Sequence, residues 1–163
     1  MLVFFLVLIL ATLKKSKFDL LILWGLSIWG ALHMAGGSLI VNGDVLYSFV
    51  IIKLFSIGDN IIFKFDQLVH IIGFGVTALV GYHLIKPYLN NKTNYKVIYP
   101  LVIAIAMGAG ALNEIVEFIA TISFPYVNVG GYYNTAIDLI SNMVGAIIAV
   151  IIIHIRRLKH GKK

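Results

Sequence analysis

No cysteine occurs in the sequence, which removes disulfides, a thiol nucleophile and thiolate metal ligation together. Charge is scarce too: 12% of the residues are charged, where an ordinary soluble domain carries about a quarter. Only seven residues are acidic. In their place the chain is 60% hydrophobic with a mean hydropathy of +0.97. That balance leaves too little polar surface for a soluble domain, and it excludes disorder, a coiled coil and nucleic-acid binding. The net charge of +6 is no nucleic-acid signal, because the basic residues sit between apolar runs.

A membrane span needs about 20 apolar residues, and the sequence holds five candidate runs. The first, Met1 to Leu13, is short and is followed rather than preceded by Lys14, Lys15 and Lys17. A secretory signal has the opposite order and a small-residue cleavage site, so an uncleaved N-terminal span is expected. The others cover residues 18–41, 66–85, 97–123 and 135–155. Pro87 stops the third and Pro125 the fourth. The expected fold is an all-α, polytopic transmembrane bundle of about five spans, a single integral membrane domain over residues 1–163.

Basic residues set the expected orientation. Three lysines lie between spans one and two, three between spans three and four, and five basic residues follow span five. Only Lys53 and Lys64 fall on the other side. The positive-inside rule then puts the N-terminus outside and the C-terminus in the cytoplasm of a multi-pass cell-membrane protein. The C-terminal basic run is placed to meet anionic headgroups. On the outer side, residues 38–49 carry Asn42-Gly43 between two β-prone stretches. Asn-Gly is a strong hairpin signal, so a small extracytoplasmic hairpin is expected there, with an irregular loop as the alternative. Residues 50–57 are apolar but too short to span, which suggests a segment lying in the interface or over the bundle. Tyr126, Tyr132 and Tyr133 fit an outer aromatic belt, and Trp24 and Trp29 fit lipid-facing positions.

Ionisable residues inside spans cost about 2.5–3.5 kcal/mol each at a helix centre, which makes them functional candidates. Asp66 and His70 are four residues apart and share a helix face, as do Glu114 and Glu117 at a spacing of three. Asp138, Asn142 and Gly145 form a third stripe, with Asn134 one turn earlier. His33 lies about 22 Å and Glu114 about 26 Å along outward-running spans, at 1.5 Å per residue. Asp66, His70 and Asp138 lie near the start of inward-running ones, so four spans bring polar residues to the outer third of the membrane. Three readings fit: carboxylate and imidazole ligands for a divalent ion such as Zn, Mn, Fe or Mg, acid–base or ion-translocating carboxylates, or polar groups that hold helices together. The pairs Ala104/Gly108, Ala106/Gly110 and Ser141/Gly145 have the small-xxx-small spacing of close helix contact.

His33-Met-Ala-Gly36-Gly37, Asp66-Gln-Leu-Val-His70, Asn113-Glu114-Ile-Val-Glu117-Phe and Asp138-Leu-Ile-Ser-Asn142-Met-Val-Gly145-Ala resemble the YjdF-like family of inner-membrane proteins. The last three also resemble the VanZ-like family, over roughly residues 30–150 in the same order. Asn134 departs from the YjdF-like pattern, which tends to an aspartate there, and Glu117 stands where a VanZ-like glutamine can occur. The resemblance implies a helical bundle but supplies no reaction.

The leading functional expectation is a divalent-metal-dependent enzyme acting on a lipid or lipid-linked envelope substrate at the outer leaflet. Two or three of Asp66, His70, Glu114 and Asp138 would hold the metal. Glu117 would be the general base for a water, Asn142 would orient a ligand, and His33 would be a ligand or proton donor. A small ion- or proton-coupled transporter and a non-catalytic membrane scaffold are the alternatives. Expected partners are membrane lipids, with no nucleic acid; the oligomeric state is left open.

Overall fold

The computed structural model describes residues 16–57, 60–124 and 131–160. The short first span expected over Met1–Leu13 lies outside them. Four helices are long and apolar enough to cross a membrane: α1 (Leu20–Ser38), α2 (Phe65–Ile85), α3 (Tyr95–Ser123) and α4 (Tyr132–His160). Each end has a local cause. Asp19 caps α1 by accepting from the Ile22 amide at 3.0 Å, and Asn94 caps α3 by accepting from Lys96 at 3.0 Å. A 3-10 turn over Lys86–Tyr88 containing Pro87 ends α2. Asp19 also pairs with Arg156 near the end of α4 at 2.8 Å. Burial works against the Asp19 charge, but the Ile22 amide and the Arg156 guanidinium outweigh it and hold the carboxyl below its ordinary value.

Two small hairpins join α1 to α2. The first pairs β1 (Ile40–Val41) with β2 (Asp44–Val45), Val41 opposite Asp44. Its loop is Asn42-Gly43, with φ of 56° and 89°. A two-residue turn with both φ positive is the one that matches strand twist, and asparagine followed by glycine tolerates it best. The second pairs β3 (Val50–Ile57) with β4 (Asn60–Lys64), where the sequence suggested an interfacial segment. A stretch too short to span cannot leave its amides unpaired beside lipid. Rich in β-branched residues, it pairs with the next such stretch and runs straight into α2.

α2 is central, packing against α1, α3 and, most extensively, α4. The buried core is built from small side chains, among them Ala78, Ala106, Ala146 and Ala149, with Val102, Val150 and Ile153 around them. Large apolar residues instead face outward, including Trp24, Phe118, Ile122, Ile148 and Ile151. A soluble fold could not tolerate so wide an apolar surface; a bundle in lipid requires it. The small core has a local cause at Gly145. A Cβ there would overlap the Ile71 carbonyl oxygen and stand 2.9 Å from the Gly75 amide nitrogen, so α2 and α4 touch backbone to backbone. Ala104 and Gly108, in the same type of spacing, are exposed.

Candidate functional site

The buried polar residues collect at the hairpin end of the bundle: Gln67, His70, Glu114, Asp138 and Asn142. α2 supplies Asp66, Gln67 and His70 in its first two turns, and α4 supplies Asn134, Asp138 and Asn142 at a spacing of four. α3 contributes Asn113, Glu114 and Glu117 near its end. Helix spacing puts each set on one face, and the contact at Gly145 brings two of those faces together.

His70 is the centre. Its Nδ1 lies 2.9 Å from Asn142 Oδ1, and an amide oxygen can only accept. Nδ1 is therefore the donor, and Nε2 faces Asp66, whose Oδ1 is 3.7 Å away. Asn142 is fully buried, so the tautomer is held by a group that water cannot displace. Asp138 is also fully buried. Gln67 donates to its Oδ1 at 2.7 Å, and Asn134 donates to its Oδ2. The Gln67 carbonyl oxygen in turn accepts from the Lys64 amide at 2.8 Å, capping α2.

Ligand atoms of Asp66, His70 and Asp138 lie within 4.8 Å of one another, and so do those of His70, Glu114 and Glu117. Ligands of one ion bound at about 2.0–2.2 Å stand up to about 4.4 Å apart, so either set needs little movement to close. The hydrogen bonding separates them. His70 Nδ1 is committed to Asn142, and Glu114 approaches that same nitrogen at 4.0 Å. Nε2, not engaged by Asn142, faces Asp66, which favours the first set. Glu114 Oε1 is buried with no hydrogen-bond partner among the described residues. Glu117 differs: its Oε1 accepts from Asn113 at 2.7 Å, and it lines a cavity.

That cavity, about 1130 Å³, is bordered by Asp66, Gln67, His70, Asn113 and Glu117 on one side. Leu26 and Trp29 of α1 and Ala109, Leu112 and Val116 of α3 make its apolar walls. Trp29 thus faces the cavity, stacked on His33 with ring centres 5.3 Å apart, where the sequence suggested lipid. The first hairpin returns Tyr47 to α1. Its hydroxyl donates to the His33 carbonyl at 2.9 Å and its oxygen lies 2.7 Å from His33 Nδ1. With that proton committed, the phenol oxygen accepts from Nδ1–H, and Nε2 takes no part in this contact. Burial pushes the Tyr47 hydroxyl up to about 12, with the Asp66 and Glu117 charges adding to it, so the phenol stays a donor.

Asp66, His70, Glu114, Glu117 and Asp138 thus converge, Asn142 stands behind His70, and His33 is on the cavity wall. Sequence reasoning passed over Gln67, Asn113 and Tyr47. Gln67 and Asn113 adjoin carboxylates and could have been found by asking which amides hold them. Tyr47 reaches its place only through the hairpin turn, and no spacing announces that.

Fold and site together define a polytopic helical membrane protein with a polar centre at one end of its bundle. The chain belongs to the family described as "Predicted membrane protein (DUF2238)", whose model matches residues 1–159. No curated protein and no solved structure matches it.

Proposed function

We propose that this protein is a divalent-metal-dependent membrane enzyme acting on a lipid or lipid-linked substrate, with Asp66, His70 and Asp138 as the metal ligands. The observation that carries the reading is the His70–Asn142 hydrogen bond. Ring orientation by a buried second partner is what metal-binding histidines require, and helix packing alone does not require it. Gln67 and Asn134 orient Asp138 in the same way. Mixed carboxylate and imidazole donors suit Zn, Mn, Fe or Mg.

A bound divalent ion would polarise a substrate oxygen and acidify a water. Glu117, facing the cavity and fixed by Asn113, would serve as the general base. His33 presents Nε2 as a second acceptor or ligand. Glu114 keeps an uncommitted carboxyl oxygen behind the centre. The apolar walls between α1 and α3 suit an acyl chain, and the polar floor suits a headgroup, which supports an amphiphilic substrate. Basic-residue placement supports the hairpin end as the outer face. The shared motifs support kinship with YjdF-like and VanZ-like proteins.

Transport of an ion fits less well. Away from the hairpin end the helices meet through the apolar side chains of Ala78, Val102, Ala106 and Ala149. The enzyme reading is tested by reconstituting the protein in vesicles of phosphatidylethanolamine and phosphatidylglycerol with Zn, Mn, Fe or Mg. Mass spectrometry should detect a new lipid species that His70→Ala abolishes. A folded, metal-loaded protein that changes neither lipid would remove the activity on these phospholipids.

A further inference from the structure

A second cavity, about 840 Å³, lies at the opposite end of the bundle. Lys86, Arg156 and Arg157 border it, and Asp19 is the one carboxylate among its lining residues. Asp19 is already committed to Arg156 Nη1 at 2.8 Å. Arg157 has no such partner: its guanidinium carbon sits 4.0 Å above the Tyr95 ring. Its Nε is shielded from solvent with no acceptor among the described residues. The Tyr95 ring face favours the cation and fixes the plane of the guanidinium, but accepts none of its hydrogen bonds. Lys86, at the end of α2, adds a second positive charge to the same space.

We infer that this cavity binds a phosphate group, taken either from a phospholipid headgroup or from a soluble phosphate. A planar guanidinium pre-positioned on an aromatic face offers parallel N–H donors that match two phosphate oxygens. Lys86 supplies a point charge from the neighbouring helix. One anion gives the Arg157 guanidinium an acceptor and offsets the charge that Asp19 leaves uncompensated. The acidic centre is at the other end, so this site stands independently of the metal.

The test uses the full chain in a neutral detergent. Inorganic phosphate, against chloride at equal ionic strength, probes the soluble source by calorimetry. Native mass spectrometry with phosphatidylglycerol, against diacylglycerol that lacks phosphate, probes the headgroup. Binding to either probe supports the site, and which one binds names the source. Arg157→Ala and Lys86→Ala should each weaken binding by about tenfold or more, the scale of a hydrogen bond to a charged group. Arg157→Lys keeps the charge and loses the planar fork, so it should fall between, and it serves if the alanine variant does not fold. Lys159→Ala makes the same charge change outside the cavity and should bind normally. Failure of both probes, or an equal loss in Lys159→Ala, overturns the inference.

Discussion

Gly145→Ala tests whether the contact between α2 and α4 builds the polar centre. The added Cβ would overlap the Ile71 carbonyl oxygen and lie 2.9 Å from the Gly75 nitrogen, and neither backbone atom can rotate away. Relief requires the helices to part by roughly 1–2 Å, since ordinary carbon contacts lie at about 3.5–4.0 Å. Overpacking of this kind costs about 1–3 kcal/mol. In a chain of this size that lowers Tm by roughly 2–12 °C, at about 2–4 °C per kcal/mol. Asn142 stands one turn before Gly145 on the same face, and its partner His70 immediately precedes Ile71. The 2.9 Å bond between them would stretch beyond about 3.5 Å, where it ceases to be a hydrogen bond. Melting curves and metal affinity should therefore fall together. A variant that melts earlier yet binds metal normally would show that the packing and the centre are separable. One unchanged in both would refute the close contact itself.

Two further outcomes follow from the same geometry. Glu114→Gln and Glu117→Gln should stay folded, with a Tm equal to or above the parent because like-charge repulsion is removed, yet lose lipid turnover; retained turnover would favour polar groups that merely join helices. Cysteines introduced singly at Ser48 and Asn91 should react oppositely with an impermeant thiol reagent in intact cells, Ser48 labelling and Asn91 not; the reverse pattern would invert the orientation.

Much of the fold was legible because lipid simplifies the code. Long apolar runs and their basic flanks marked the helices, and Asn42-Gly43 marked the first hairpin through the two positive φ angles it tolerates. The second hairpin was missed because residues 50–57 carry no alternation: an apolar run of that length reads equally as strand or helix fragment. Same-face spacing and matched depth alone group Asp66, His70, Glu114 and Asp138. Spacing along one helix carries no information on which atoms of another it meets. It therefore could not tell that Asn142 takes one nitrogen of His70 and leaves the other to Asp66. Gln67 and Asn113, neutral and adjacent to charged neighbours, carry no role in the sequence for the same reason. Trp29 reads as lipid-facing, since an aromatic residue in the middle of a span suits either side until its stacking on His33 and its place on the cavity wall are seen.

The central claim is that His70 Nε2, Asp66 and Asp138 hold a metal in a geometry fixed by Asn142. Its most direct test is elemental analysis of the purified protein, loaded with Zn, Mn, Fe or Mg and freed of excess, beside His70→Ala and Asn142→Leu. The account predicts one tightly held divalent ion per chain, absent from His70→Ala, with affinity in Asn142→Leu lower by about 10–100-fold, as when an orienting partner is lost. No bound ion in the folded parent protein, or an equal content in His70→Ala, would contradict it.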